Sequence, residues 1–230
     1  MLFLKELFKV FYPSLCVNCS TQLLGSEAYL CTNCLYNLPL INYNEATKEM
    51  LQAIFYGQLV IEEIYSFLYF SKHGITQKLI HELKYKGQEE IGAFIGKWIG
   101  HEILKLGIFK GIDYIIPVPL HPSKRKKRGY NQLTKFGKTL SLMLDIPYKP
   151  GVLLRKSKSK TQTSKQRFER FLDLDSKFNL SNTAIFKNKH VLVIDDVITT
   201  GASLIACCNE LLKSKNIKIS ICTMAYTELA

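Results

Sequence analysis

The sequence lacks the features that mark several common classes of protein. No run approaches about 18 consecutive apolar residues, which argues against a transmembrane helix. The N-terminus is interrupted by Lys5, Glu6 and Lys9 and has no small-residue cleavage site, so it does not resemble a signal peptide. No internal repeat is evident, and no Ser-His-Asp or Cys-His constellation offers a covalent nucleophile. We therefore expect a cytoplasmic protein that does not use covalent catalysis.

Residues 1–11 nevertheless carry a helical pattern, with apolar residues at positions 3, 4, 7, 8 and 11. An amphipathic helix of this kind either packs on its own domain, which we favour, or lies on a membrane surface. Peripheral membrane contact therefore stays open at this point, and so does the oligomeric state.

Positive charge is unevenly distributed along the chain. The 230 residues are 47% hydrophobic and 22% charged, as in ordinary globular proteins, and their net charge is +12. Residues 1–50 hold three lysines and four glutamates, whereas residues 121–170 hold fifteen lysines and arginines and two acids. Such clustering predicts a polyanionic partner, which would be pyrophosphate, a nucleotide or a nucleic-acid backbone.

Two C-x2-C pairs lie near the N-terminus, with eleven residues between them. Their members are Cys16, Cys19, Cys31 and Cys34. This spacing is typical of a closed, structural four-cysteine zinc site, in which each pair supplies two sulfur ligands. Two disulfides or unrelated buried thiols are the alternatives. We favour zinc, because no secretory signal is present and the other three cysteines show no pairing pattern.

The most informative stretch runs from His190 to Ser203. An apolar run typical of a buried strand leads into Asp195 and Asp196, and a loop rich in Thr, Gly and Ser then leads into a helix. The helix N-terminus suits a phosphate, and Gly201 lets the backbone approach it closely. The two carboxylates suit vicinal ribose hydroxyls or a hydrated magnesium ion. The pattern therefore predicts a sugar-phosphate site, and the alternative is an ordinary strand-to-helix turn with a Ser/Thr cap.

Strand and helix patterns alternate along the rest of the chain. We expect strands at Ile64–Phe70, Asp113–His121 and Lys218–Tyr226, and helices at Gly74–Lys86, Ile91–Leu106 and Leu133–Leu144. Residues Pro39–Gly57 have little periodicity and are interpreted as a connector. The alternation predicts an α/β fold, with a mainly parallel sheet covered by helices on both sides.

Two basic segments follow the middle strand. The first contains five consecutive cations, Lys124, Arg125, Lys126, Lys127 and Arg128. We expect them on a loop at the carboxyl end of the strand, where ligands bind in open α/β sheets, although a solvated surface is the simpler interpretation for some of them. The second, Leu153–Arg167, is polar and poor in core residues. It is interpreted as a mobile lid over a charged substrate or as a contact for single-stranded nucleic acid.

Taken in order, these motifs resemble the ComF family, phosphoribosyltransferase-like proteins associated with bacterial competence and DNA uptake. The resemblance covers essentially the whole chain. It rests on the four-cysteine module and on Leu83–Gly87, Ile116–Leu120, Arg128–Gln132, Thr161–Gln162 and Asp195–Ser203. The chain departs from the family after Thr161–Gln162: Arg170 fits a family arginine, but Asp173 stands where the family tends to have asparagine.

The resemblance implies a type I phosphoribosyltransferase fold that binds phosphoribosyl pyrophosphate (PRPP) with magnesium. It assigns PRPP binding to Asp195, Asp196, Val197, Thr199, Thr200, Gly201, Ala202, Ser203, Pro119 and Leu120. The two aspartates would hold the ribose hydroxyls, residues 199–203 the 5′-phosphate, and the loop after Pro119 would face the pyrophosphate. We add Arg128 and Lys84 as contacts of the leaving group, which makes the catalytic set Asp195, Asp196, Arg128 and Lys84.

Two functions remain open. In one, the protein is an enzyme in which an acceptor displaces pyrophosphate from PRPP. In the other, it is a non-enzymatic competence factor that binds single-stranded DNA through the basic segments, with PRPP as an effector or a relic. In either case we expect residues 1–57 to hold the N-terminal helix, the zinc module and the connector, and residues 58–230 to form the phosphoribosyltransferase-like domain.

Overall fold

A parallel β-sheet forms the centre of the molecule. The computed structural model describes residues 13–155 and 178–228. The strands of this part are β1 (Ile64–Tyr69), β2 (Tyr114–Pro117), β3 (Leu153–Arg155), β4 (Phe178–Leu180), β5 (His190–Ile198) and β6 (Lys218–Tyr226). Four of them form one sheet in the order β1-β6-β5-β2, and all neighbouring pairs are parallel. β3 and β4 form a separate antiparallel pair.

Helices flank this sheet. Those described are α1 (Thr32–Tyr36), α2 (Glu45–Ala53), α3 (Ile75–Tyr85), α4 (Glu90–Leu106), α5 (Pro122–Arg128), α6 (Leu133–Leu144) and α7 (Ala202–Leu211). A short 3-10 turn at Ala184–Phe186 precedes β5. Strands β5 and β6 are buried along most of their length, because helices cover a parallel sheet on its faces. The predicted α/β class is confirmed.

The packing of α4 against α6 fixes the start of α6. Gly92, Gly96 and Gly100 form a stripe along α4 that faces α6. A Cβ atom on Gly92 would lie 3.3 Å from the carbonyl oxygen of Gln132, the residue that precedes α6. The absence of side chains therefore lets the two helices approach closely, and it sets the position of Gln132 relative to the sheet.

The connector predicted at Pro39–Gly57 is more ordered than its sequence suggests, because it contains helix α2. Its first residues pair with the edge of the sheet: the Ile41 amide donates to the Phe67 carbonyl at 2.8 Å. Helix α2 then begins at a reciprocal cap, in which the Asn44 side chain accepts from the Thr47 amide and Thr47 accepts from the Asn44 amide. Local capping and edge pairing, rather than a strong apolar stripe, stabilise this segment.

The loop predicted for the cations Lys124–Arg128 is wrong, because these residues form helix α5. Pro122 occupies its first turn, where the missing N–H costs nothing, and the His121 side chain accepts from the Ser123 amide. The helix ends at Gly129, whose φ of 82° is the left-handed conformation common after a helix. Proline ends the strand as expected, but here it also starts a helix.

The four-cysteine segment lies against the first helices of the sheet region. Lys78 of α3 donates to the Asn18 carbonyl at 2.7 Å, and the rings of Tyr29 and Phe94 are 5.5 Å apart. The division into two domains at residue 57 stays a prediction.

Several expectations fall outside the described residues. They are the N-terminal amphipathic helix, most of the second basic segment, the Thr161–Gln162 pair, and the positions Arg170 and Asp173. Within 13–155 and 178–228, no helix is both long and apolar enough to cross a membrane.

Candidate functional site

The loop between β5 and α7 forms a small cradle at the carboxyl edge of the sheet. Its cavity of about 70 Å³ is lined by Asp195 and by residues 197–204. Gly201 lies directly before α7 with a φ of 70°, so the loop turns into the helix N-terminus without a side chain in the way. A water molecule occupies about 30 Å³ in the liquid, so the space suits a small anion such as a phosphate. Helix N-termini favour such anions because their first N–H groups are unpaired.

The strand continues further than the sequence suggests. β5 runs through both aspartates to Ile198, and the cradle begins only after it. Thr199 and Thr200 are exposed there, and Ser203 lies in the first turn of α7. The residues predicted to hold a 5′-phosphate therefore lie in this loop and in the first turn of the helix that follows it.

Two residues of the connector, Ile54 and Phe55, pack against the cradle loop at Gly201. A Cβ atom on Gly201 would lie 3.0 Å from Cγ2 of Ile54 and 3.1 Å from the ring of Phe55. Phe55 is completely buried. The sequence gives no sign of this contact, because it joins the end of α2 to a loop late in the chain.

Asp196 forms side-chain contacts through both of its carboxylate oxygens. Its Oδ1 atom lies 2.9 Å from the Lys84 ammonium, and its Oδ2 atom accepts a 2.7 Å hydrogen bond from the Gln132 amide. The residue is 6% exposed. Because an unpaired carboxylate in this buried position would be costly, loss of either partner is expected to be strongly unfavourable. Both oxygens of Asp196 thus have a protein partner.

Arg128 belongs to the same network. Its guanidinium donates to Oε1 of Gln132 at 2.6 Å and lies over the Tyr85 ring, 5.0 Å from the centroid. The Tyr130 hydroxyl donates to the Leu83 carbonyl. The end of α3, the corner between α5 and α6, and the acidic pair of β5 are therefore joined by side chains.

Sequence reasoning missed the roles of Gln132 and Tyr130. Both lie in the Arg128–Gln132 run that carries the family resemblance, and Leu83 and Tyr85 lie in the Leu83–Gly87 run. The sequence contains both motifs, but it does not indicate that they contact each other in the folded protein.

Asp195 differs from Asp196 in its surroundings. It is half-buried, and successive residues of a strand point to opposite faces of the sheet. One of its oxygens accepts from the Asp196 amide at 2.8 Å. Burial, followed by the negative charge of Asp196, raises the pKa of Asp195 above the usual range for an aspartate. Within the described residues its other oxygen has no hydrogen bond, so Asp195 can accept from a ligand hydroxyl or, in its charged form, from the water shell of a magnesium ion.

Some of the other residues predicted for the site lie beside Asp195, and the rest lie on the surface. Pro119 and Leu120 follow β2, and the Val118 amide donates to the Ile194 carbonyl at 2.9 Å, which holds that loop beside Asp195. Residues Lys124–Lys127 are exposed, and in the part of the chain that the structure describes they form no ion pair. Within residues 13–155 and 178–228, Arg128 is the one of the five cations that is linked to Asp196, and the link runs through Gln132.

The four N-terminal thiols converge as a metal site requires. The sulfur atoms of Cys16, Cys19, Cys31 and Cys34 all lie within 4.8 Å of one another. The Cys19 and Cys31 sulfurs are 3.6 Å apart, close to the separation of about 3.8 Å that a tetrahedral zinc with 2.3 Å bonds imposes. The Asn18 amide also donates to the Cys34 sulfur at 3.2 Å. These residues fit a tetrahedral metal ion such as zinc.

Comparison with known proteins places the chain in a family. The phosphoribosyl transferase domain model matches residues 134–228. A hypoxanthine/guanine phosphoribosyltransferase of Methanocaldococcus sp. is 30% identical over 173 residues, which are 75% of this chain and 80% of that protein. Competence protein F of Haemophilus influenzae is 38% identical over 96 residues. The chain belongs to the ComF family of phosphoribosyltransferase-domain proteins.

The competence relatives are matched over part of their length. The similarity covers 40% of this ComF-family chain and 41% of competence protein F. DNA utilization protein YhgH of Escherichia coli K12 is 26% identical over 152 residues, which are 65% of this chain and 66% of that protein. Among solved structures, an adenine phosphoribosyltransferase from Leishmania tarentolae is similar, with 12% sequence identity and a TM-score of 0.37. The match covers 62% of this chain and 73% of that chain.

Proposed function

We propose that this ComF-family protein binds PRPP together with magnesium at the carboxyl edge of the sheet. The observation that supports the proposal is that the cradle at residues 199–203 follows directly on β5, whose Asp196 carries an acidic and cationic network and is separated from the cradle by two residues. PRPP presents the matching groups: a 5′-phosphate, a vicinal diol and a pyrophosphate.

Each part of the ligand has a candidate partner. Residues Val197 and Thr199–Ser203 hold the 5′-phosphate, and Asp195 and Asp196 hold the ribose hydroxyls. Lys84, Arg128 and the Pro119–Leu120 loop face the pyrophosphate. Asp195 would help to hold magnesium bound with PRPP, and the ion would supply positive charge for the departing pyrophosphate.

The reaction that this arrangement favours is phosphoribosyl transfer. The bond between C1 of the ribose and the pyrophosphate oxygen breaks, the electron pair leaves with pyrophosphate, and an acceptor atom forms the new bond to C1. The protein's residues contribute by positioning and by electrostatic stabilisation of the leaving group, without a covalent nucleophile. PRPP consumption with pyrophosphate release, screened over nucleobases, amines and ammonia, tests this activity. Turnover with at least one acceptor is expected, and none with any acceptor contradicts it.

A role in competence and DNA uptake, in the cytoplasm, is the biological setting that we propose. The names of competence protein F and YhgH support it. The convergence of the four N-terminal sulfur atoms suits a metal site, and cysteines bind metal rather than form disulfides mainly in reducing compartments. We assign the cluster to one structural zinc ion.

Binding of single-stranded DNA is a second candidate function, and a different observation favours it. Helix α5 exposes four cations, Lys124–Lys127, that contribute nothing to the ion pairs of the described residues. A polyanion that binds there would release counterions, so its affinity would fall steeply with salt. Fluorescence anisotropy of labelled single strands across a salt series tests this. Affinity that does not change with salt contradicts it.

A further inference from the structure

Neighbouring side chains cover the carboxylate of Asp196. Lys84 and Gln132 occupy its two oxygens, and only 6% of the residue is exposed. A ribose hydroxyl therefore has almost no surface to approach until one neighbour moves. Gln132 is itself buried and held by Arg128, whereas 21% of the Lys84 side chain is exposed. Lys84, on its flexible stem, is the neighbour that can leave.

Separating Lys84 from Asp196 leaves the carboxylate with Gln132 as its one donor among the described residues, and it leaves both charges without a counter-charge. An uncompensated charge in a nearly buried position is strongly unfavourable, often by more than the pair itself contributes. A diol alone would satisfy Asp196 but leave Lys84 without a counter-charge. Pyrophosphate alone would satisfy Lys84 but leave Asp196 without its cation. Only a ligand that carries both groups satisfies both residues at once.

The geometry points to a selectivity latch, in which the Lys84–Asp196 ion pair makes the site favour ligands that carry a diol and a pyrophosphate together over ribose 5-phosphate or pyrophosphate alone. This inference rests on the proposed PRPP site and adds a specificity-determining role for Lys84. It does not require Lys84 to take part in bond breaking.

Arg128 and Gln132 fix the orientation of Asp196 through hydrogen bonds. Because Oε1 of Gln132 accepts from the Arg128 guanidinium, its amide N–H group faces Asp196. Arg128 is in turn stacked on Tyr85, the neighbour of Lys84 in α3. Asp196 thus keeps one donor while Lys84 exchanges one anion for another.

A purely structural ion pair makes a different prediction from a latch. If Lys84 only holds α3 against β5, its removal weakens the binding of every ligand. If it is a latch, Lys84→Met frees Asp196 for the diol while it removes a partner of the pyrophosphate. Affinity for ribose 5-phosphate then rises and affinity for pyrophosphate falls, each by roughly fivefold or more.

The test is calorimetric titration of PRPP, ribose 5-phosphate and pyrophosphate, each with magnesium, into the parent protein, Lys84→Met and Lys84→Arg. Lys78→Met is the matched control, because Lys78 lies on the same helix and its ammonium bonds to the Asn18 carbonyl instead. We expect opposite changes for the two fragments in Lys84→Met, parent-like behaviour in Lys84→Arg, and no opposite changes in Lys78→Met.

The outcomes separate the latch from the site itself. If the parent binds PRPP but Lys84→Met binds ribose 5-phosphate no better than the parent does, the latch is wrong and the PRPP site stands. If the parent does not bind PRPP, the proposed function is wrong and the latch with it. A crystal structure of the parent with PRPP and magnesium needs no variant. Lys84 on a phosphate oxygen is expected, and an unbroken Lys84–Asp196 pair overturns the latch.

Discussion

Lys84 at the end of α3 forms a 2.9 Å ion pair with Asp196 of β5, at the carboxyl edge of the sheet. The two residues are far apart in the sequence, and each belongs to a different motif of the family resemblance. Gln132 extends the pair to Arg128. These contacts join Lys84 and Arg128 to Asp196 through side chains.

Replacing Gln132 by methionine should destabilise the protein. Gln132→Met keeps the volume but removes the donor to Asp196 and the acceptor of Arg128. Loss of a hydrogen bond to a charged group costs about 1.5–3 kcal/mol. Urea unfolding should show a decrease of that size in the free energy of unfolding, and a weaker affinity for PRPP. Exposed Gln88→Met is the control, expected within about 0.5 kcal/mol of the parent; equal effects would mean that the network has no energetic role.

Gly201→Ala should damage the cradle more than its backbone strain alone explains. Gly201 and Gly111 have the same φ of 70°, but only at Gly201 would a Cβ atom meet neighbours, at Ile54 and Phe55. Both substitutions should cost about 1–2 kcal/mol for the left-handed conformation. Gly201→Ala should cost more in thermal or urea unfolding and also reduce the affinity for PRPP, whereas Gly111→Ala should bind normally. Identical stability losses with normal binding in both variants would contradict the role of the connector beneath the cradle.

The four-cysteine cluster should bind about one zinc per chain. Elemental analysis of the purified protein should find it, and a strong chelator should lower the midpoint of thermal unfolding, because metal binding contributes folding free energy to so small a module. Cys34→Ser should lose metal, whereas Cys208→Ala, in a buried cysteine outside the cluster, should keep it. Full metal content in Cys34→Ser would exclude the proposed ligand set.

DNA binding by α5 should depend on its exposed lysines. The triple substitution Lys124→Gln, Lys126→Gln and Lys127→Gln should weaken binding of single-stranded DNA and lower the salt slope by up to about 0.7 for each lysine that contacts a phosphate. The control makes the same charge change at three other exposed lysines, Lys97, Lys105 and Lys110. Equal losses in both triple variants would mean that net charge, and not α5, determines binding.

Stability should depend on pH through Asp195. The folded state raises the pKa of Asp195, so it binds this proton more tightly than the unfolded state does. The free energy of unfolding therefore contains a contribution that is lost as the pH rises from the usual pKa of an aspartate toward the raised value. Asp195→Asn removes it, so the variant should gain stability relative to the parent as the pH rises. Urea unfolding of both proteins over a pH series measures this, and parallel curves would contradict it.

Local patterns in the sequence predict much of this molecule. The strand, the acidic pair and the cradle from His190 to Ser203 are continuous in the chain, so their juxtaposition follows from sequence alone. The two C-x2-C pairs predict the convergence of four thiols in the same way. In both cases the groups that act together are neighbours or lie at a fixed spacing.

The parts that sequence reasoning missed depend on contacts between distant segments. Gln132 meets Asp196 only because the glycine stripe of α4 fixes the start of α6. Phe55 reaches Gly201 only through the folding of the connector. Helices α2 and α5 were missed for a local reason, because apolar periodicity is weak in both. A side-chain cap at Asn44 begins α2, and a proline in the first turn begins α5.

The central claim is that the acidic pair of β5 and the cradle beyond it bind PRPP. Calorimetric titration of PRPP with magnesium into the parent and into the double variant Asp195→Asn/Asp196→Asn tests it most directly, with urea unfolding curves to show that both proteins are folded. We expect binding at one site per chain in the parent and loss of binding in the folded variant. Equal affinity in the two proteins, or no binding by the parent, would contradict the account.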